Sequence, residues 1–199
     1  RRDHNGKSMR IGDIMVEGKN AQGKDDNKLR YGLMGDPAMR LPSPDYVVSI
    51  DNIDGNNLSD PNNLPVLKAR STVKISGSIK DMDGNVADDY NGSISLRIYD
   101  AEKVITTNGN GDNGREMSYN DRKSRLYSGK AIANNGRWET TIMLPSEIEN
   151  NYSPALLSAY AHDSLGREAN GYTDKFYIYG YDPESSEDLE GPVISSIYL

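Results

Sequence analysis

The chain has 199 residues, 23 lysines and arginines against 30 aspartates and glutamates, a formal net charge of −7, and no cysteine. The acidic balance argues against a nucleic-acid partner, because phosphate binding needs clustered cations. Lack of cysteine removes disulfide staples and any thiolate nucleophile, and no 18-residue apolar run is present that could cross a membrane as a helix. Residues 8 to 20 place Ile11, Ile14, Met15 and Gly18 at helical spacing, with Ser8 expected to cap the amino end and Asn20 to close the helix. Gly12 and Gly18 weaken an isolated helix, which points to a helix backbone packed closely on something else. After a polar loop, Leu29 to Met34 reads as a short strand ended by Asp36-Pro37, since proline donates nothing to a ladder and restricts the residue before it. One helix and one strand cannot enclose a core, so this segment must dock on the rest of the chain or on further material.

Pro42-Ser43-Pro44 is an extended boundary, and beyond it the hydrophobic period changes to two. Tyr46–Ile50 is a first strand, followed by a polar loop over 51–63 and a strand over 64–67. Val73, Ile75 and Ile79 alternate with polar residues in a strand that turns at 81–85. Ile94, Leu96 and Ile98 point to one face and Ser95, Arg97 and Tyr99 to the other. A short strand over 103–107 precedes a flexible stretch rich in glycine and asparagine from Asn108 to Gly114. Arg125–Ala133 and Arg137–Leu144 flank Asn135-Gly136 as a hairpin, with Trp138, Ile142 and Leu144 facing the core. Residues 145–148 make a turn or a single helical turn, and Leu156–His162 and Thr173–Tyr179 form a last pair joined by 163–171. Residues 181–190 have linker composition, and 191–199 alternate as a further strand that either opens a following domain or returns as an edge strand.

Seven Asn-Gly pairs punctuate the chain, a dipeptide that readily takes the positive φ angles of tight hairpin turns. Thirteen tyrosines against one phenylalanine and one tryptophan suit half-exposed strand positions. Seven to nine short strands spaced by turn signals describe an immunoglobulin-like β-sandwich. The expected class is therefore mainly β.

Leu33 to Pro42 reads Leu-Met-Gly-Asp-Pro-Ala-Met-Arg-Leu-Pro, and this resembles the signature that closes the catalytic domain of gingipain-like cysteine peptidases. Met39 stands where leucine is commoner in that family. The likeness continues through the strand over 70–79, through Tyr90-Asn91-Gly92 with its alternating strand, and through Gly129-Lys130-Ala131 with Asn135-Gly136-Arg137-Trp138. It ends in a closing hairpin from Ala159-Tyr160-Ala161-His162-Asp163 to Ala169-Asn170-Gly171-Tyr172. Within the family it is most similar to the PorU-type sortases of type IX secretion in Bacteroidetes. The resemblance implies that residues 1–43 are the short α/β remnant of a caspase-like peptidase domain, 44–181 the immunoglobulin-like β-sandwich, and 182–199 an acidic linker and strand. It further implies a non-catalytic scaffold fragment of a cysteine endopeptidase that processes the C-terminal signal of secreted cargo at the outer membrane or cell surface of a Gram-negative bacterium. The implied partners are the upstream peptidase domain, later domains of the same parent chain, and an outer-membrane protein. The different-class reading is a surface adhesin or glycan-binding β-sandwich module.

Candidate chemistry within the chain is sparse. His4 and His162 are the only histidines, no Gly-x-Ser-x-Gly elbow occurs, and a nucleophile needs a positioned base, so no residue is assigned a catalytic, cofactor-binding or metal role. His162 beside Asp163 reads as a strand-end residue. Asp81-x-Asp83-Gly84-Asn85 looks like the front of a Ca2+ loop without its distal glutamate, but the favoured reading is a plain Asp-Gly turn; 51–56 is a weaker version. Lys68, Arg70, Lys74 and Lys80, or Arg122, Lys123 and Arg125, are candidate basic patches or simply solvated strand faces. Tyr177, Tyr179 and Tyr181 lie on one strand face and could stack on a sugar, though packing on a neighbouring domain is the preferred reading.

Overall fold

In a computed structural model the residues described are 8–24, 26–40, 44–111 and 113–183. Contacts divide the chain into two compact units, Arg1–Pro44 and Asp45–Leu199. His4, residues 41–43 of the boundary, Asp112 of the glycine-rich stretch and the 184–199 segment lie outside the described residues.

The amino-terminal unit holds one helix, α1 (Ile11–Ala21). Ser8 does not cap it. Arg10 is the extended N-cap residue and makes no capping side-chain bond. The Gly35–Arg40 turn does that work with backbone carbonyls: Ile11 N–H donates to the Met39 carbonyl at 2.9 Å and Gly12 N–H to the Pro37 carbonyl at 3.0 Å. The first orphan donors of a helix need partners of this kind. The turn itself is folded by Asp36, whose Oδ1 accepts the Ala38 N–H at 2.8 Å and whose carbonyl accepts the Met39 N–H at 3.1 Å. A Cβ on Gly12 would lie 2.9 Å from the Pro37 Cβ, so the close approach expected for Gly12 is real. Gly18 has nothing within 4 Å, so that expectation fails there. Asn20 lies inside the helix, which closes on Gln22.

The strand expected over 29–34 is absent. Leu29 and Arg30 end a 3₁₀ turn, Asp26–Arg30, and 31–34 join no ladder among the described residues. Among the described residues it has no neighbouring strand to pair with, and a lone strand leaves its backbone groups unsatisfied. No residue of α1 is buried, and Leu29, Tyr31 and Met34 are 73%, 66% and 98% exposed.

The second unit contains twelve strands among the described residues: β1 (Tyr46–Ile53), β2 (Asn56–Asn57), β3 (Val66–Ala69), β4 (Thr72–Asp81), β5 (Gly92–Tyr99), β6 (Lys103–Thr106), β7 (Ser118–Asp121), β8 (Arg125–Asn134), β9 (Arg137–Met143), β10 (Leu156–Asp163), β11 (Glu168–Thr173) and β12 (Tyr177–Tyr181). Eight form one sheet in the order β11-β10-β5-β8-β9-β4-β1-β2, and β1 also pairs with β11, which closes the circuit. Two sheets were expected. Hydrogen bonding instead links two well-paired arcs at two narrow seams. At one, β8 meets β9 through Ala133↔Trp138 and Asn134↔Arg137. At the other, β1 runs parallel to β11 through Tyr46↔Ala169 and Val47↔Asn170. Alternation fills the interior with Val48, Ile75, Ile79, Ile94, Leu96, Ile98 and Leu157, each at most 1% exposed. Trp138, Ile142 and Leu144 are buried as the period-two pattern requires.

Several boundaries differ from the sequence reading. β1 runs on to Ile53 and turns at Asp54-Gly55, both at positive φ (50° and 81°), the geometry of a tight hairpin turn. Asn135-Gly136 turns as expected, at 49° and 69°. Asn170-Gly171 does not turn; it lies within β11, the strand that pairs with β10 inside the presumed connection over 163–171. β12 pairs instead with β3, in parallel. β7 was not foreseen, and it makes a separate hairpin with β6. Residues 145–148 bend without a helical turn.

Candidate functional site

The β1–β11 seam creates a cleft. The strands pair for two residues and pass so closely at Gly171 that a Cβ there would lie 1.9 Å from the Val48 carbonyl oxygen. Only glycine allows that crossing. Beyond it the pairing of β1 with β11 ends and an open cleft of about 500 Å³ begins, its polar lining Ser49, Asp51, Ser59 and Lys80 on one side and Asn170, Tyr172, Thr173 and Lys175 on the other, with Val47, Ile50 and Leu58 among its apolar residues. Asp51 enters it through a break in register: Ile50 pairs with Gly77 and Asn52 with Ser76, which leaves Asp51 as an extra, unpaired residue. Bulges of this kind re-aim a side chain.

Within the cleft Asp51 is held from three sides. Ser78 donates its hydroxyl to Oδ2 at 2.7 Å, and Ser49 donates to Oδ1. Lys80 Nζ lies 3.2 Å from Oδ1 and donates to the Ser49 hydroxyl at 3.0 Å. Desolvation pushes the Asp51 carboxyl up, but the hydrogen bonds from Ser49, Ser78 and Lys80 and the ammonium charge outweigh it, leaving the group below its ordinary value. The pair remains half open to solvent, with side-chain exposures of 32% for Lys80 and 45% for Asp51. Tyr172 is 73% exposed on the opposite wall.

The other side of the same seam is built differently. Asp163, its side chain 1% exposed, takes Arg167 Nε on Oδ2 at 2.6 Å and the backbone N–H groups of Leu165 and Arg167 on Oδ1 at 2.9 and 2.8 Å. Arg167 also binds Asp89 at 2.8 Å and lies over the rings of Tyr46 (5.4 Å) and Tyr90 (5.1 Å). Tyr90 donates its hydroxyl back to the Arg167 carbonyl at 3.2 Å. Burial, followed by the Asp163 charge, pushes the Tyr90 phenol up to about 12. Every group in this cluster is used, so its chemistry is structural.

The residues singled out from the sequence fare unevenly. At 81–85 the Asp81 carboxylate is occupied by its own turn, with Oδ1 accepting the N–H groups of Asp83 at 3.0 Å and Asn85 at 2.8 Å. These amide bonds, the Asn85 one foremost, hold its carboxyl below the usual range. No group of three or more metal-ligating side chains occurs among the described residues. His162 is exposed on β10 opposite Glu168 and Ser93. Among the basic residues, Lys74 pairs with Glu139 at 2.9 Å, Lys80 with Asp51, and Arg122 donates to the carbonyls of Asp100 and Pro154. Tyr177 and Tyr179 are joined by Tyr152, which stacks on the first at 4.7 Å and meets the second edge-on at 5.5 Å. Gly180, at φ 77°, and a register irregularity separate Tyr181 from that alternation. The sequence does not show the cleft because its parts come from strands far apart in the chain; read alone, Lys80 belongs to a basic run and Asp51 to a turn-like segment.

No family model matches this sequence, and no curated protein matches it. Among solved structures, the crystal structure of dimeric latent PorU from Porphyromonas gingivalis is similar, with a TM-score of 0.64 and 20% identity over 92% of this chain. That span is 17% of the PorU chain, and at this identity the likeness is one of fold. Spo0M, a sporulation control protein from Bacillus subtilis, aligns with a TM-score of 0.38 and 11% identity over 70% of this chain and 50% of its own. No helix of the described residues is long and apolar enough to cross a membrane.

Proposed function

We propose that this chain is a non-catalytic scaffold portion of a gingipain-like, PorU-type cysteine peptidase. In this reading residues 1–43 end a caspase-like catalytic domain, 44–181 form the immunoglobulin-like β-sandwich that follows, and 182–199 lead onward as an acidic linker and strand. The two arcs of the closed sheet are then the two faces of the sandwich, touching at their seams. The observation that carries the reading is the fold likeness to PorU over 92% of the chain, which takes in both units. A second support is the amino-terminal unit, whose α1 buries nothing and whose Leu29, Tyr31 and Met34 face solvent. Such a surface is what the last piece of an α/β layer exposes when the rest of the layer is missing.

The role that follows is mechanical. The β unit buttresses the catalytic domain and connects it to later domains or to an outer-membrane partner, at the surface of a Gram-negative cell. The parent acts in type IX secretion, removing the C-terminal signal of cargo, and this portion needs neither cofactor nor metal for its part. The reading frame upstream of Arg1 tests the assignment: it encodes a region bearing a catalytic cysteine and histidine, and a frame without them contradicts it. Deleting residues 45–183 from the parent tests the role. Cargo then keeps its C-terminal signal, detected as a mass increase by gel or mass spectrometry; normal processing would show the unit dispensable.

A further inference from the structure

We infer that the cleft at the β1–β11 seam binds a neutral sugar ring, with Tyr172 as its stacking face and Asp51, Lys80 and Asn170 as its hydroxyl-directed polar set. This goes beyond the scaffold reading and does not depend on it. A sugar hydroxyl is both donor and acceptor, and the cleft presents a carboxylate and an ammonium 3.2 Å apart to answer both. Hydrogen bonds to charged partners are the stronger kind. Asn170 lies on the outer face of β11 with Tyr172 two residues on, so an amide and an exposed aromatic ring share one wall. The apolar C–H face of a pyranose fits an exposed phenol face as other apolar groups do.

Two features argue for a built site over a solvated strand face. The serine hydroxyls of Ser49 and Ser78 hold Asp51 in place before any ligand arrives, and the bulge aims it into the cleft. Fixing a binding group in advance removes ordering costs from association. The volume, about 500 Å³, also falls within the range of small-molecule sites. Asp51 and Lys80 neutralise each other, so this pair favours an uncharged ligand, and Lys175 on the opposite wall makes glucuronate the charged counterpart that tests the preference most directly. The tyrosine cluster of Tyr152, Tyr177 and Tyr179 is the weaker candidate, since the first two rings already use a face on each other.

Saturation-transfer NMR on the full chain tests this with the methyl glycosides of glucose, galactose, mannose and N-acetylglucosamine, and with glucuronate and glucosamine as charged counterparts. At least one neutral glycoside shows transfer. Tyr172→Ala, a change at an exposed position that leaves the melting temperature in place, weakens binding about tenfold or more. Asn170→Ala weakens it as well, and Tyr119→Ala on the β6–β7 hairpin leaves it unchanged. The proposal is overturned if no neutral glycoside shows transfer, if only the charged sugars bind, or if Tyr172→Ala binds as the parent chain does. Cargo processing by the parent peptidase is a separate readout, so either idea can fail alone.

Discussion

In the β unit Ile75, Ile94, Leu96 and Leu157 are at most 1% exposed, whereas in the amino-terminal unit α1 buries no residue and Met34 is 98% exposed. The difference lies in apolar burial, the dominant favourable contribution to folding. An 11-residue helix is marginal in water by itself, so α1 rests on the two carbonyls of the Gly35–Arg40 turn and on contact with Pro37. The β unit, by contrast, closes its sheet around a core and locks the closure with Arg167. One unit has a buried apolar core; the helix of the other has no buried residue.

The β unit depends most on Arg167. Arg167→Met leaves the Asp163 carboxylate buried without its guanidinium and destabilises the β unit by about 3–5 kcal/mol. Urea melts followed through Trp138, the one tryptophan, measure this, and a loss below 1 kcal/mol by roughly the surface-pair scale would mean the cluster is not a lock. Gly171→Ala drives a methyl group toward the Val48 carbonyl and costs about 1–3 kcal/mol as the seam parts. An unchanged midpoint would show that β1 and β11 are not held together there.

Two pH limbs sharpen the same contrast, because both belong to the β unit. Asp163 is desolvated, which raises its carboxyl, but Arg167 and the turn amides prevail and depress it. A depressed acid contributes stability that is present above its unfolded value of 3.8 and is lost as pH falls through the native one. Tyr90 works in the opposite direction. Its phenol is raised from 10.0 to about 12, so the folded state holds the proton more tightly and stability declines as pH climbs from 10.0 toward 12. Arg167→Met removes much of the acid limb, and Tyr90→Phe removes the alkaline one; pH-dependent melting reads both.

Smaller effects are expected in the amino-terminal unit. Gly12→Ala pushes on Pro37 at 2.9 Å and displaces the capping turn, yet it moves the melting of the β unit by less than about 0.5 kcal/mol. A larger shift would mean that the β unit's stability depends on this turn. Millimolar calcium, smallest of all, leaves the melting temperature unchanged, because the amides of the 81–85 turn already occupy Asp81; a rise would restore the metal reading of that turn.

What could be read from residues alone follows from the range of the interactions involved. Ile94-Leu96-Ile98 and the Asn135-Gly136 turn were legible because alternation and turn chemistry are local. Asn170-Gly171 misled for the same reason: locally it is a turn signal, and only the crossing of Val48, more than 120 positions away, explains a glycine within a strand. Leu29–Met34 has the composition of a strand and, among the described residues, no partner to make it one. The cleft was illegible because its two walls come from β1 with β4 and from β11, and only the closure of the sheet joins them. Tyr152 escaped notice since nothing in its loop sequence announces a stack on β12.

Hydrogen exchange of the full chain, read peptide by peptide by mass spectrometry, bears most directly on the claim that the two units differ in self-sufficiency. Amides of β4, β5 and β10 are expected to exchange only through opening on the scale of global unfolding, and those of Ile11–Ala21 through local opening near zero free energy. Protection of Ile11–Ala21 equal to that of β4 would contradict this expectation, since a helix with no buried residue would then be as stable as the core strands.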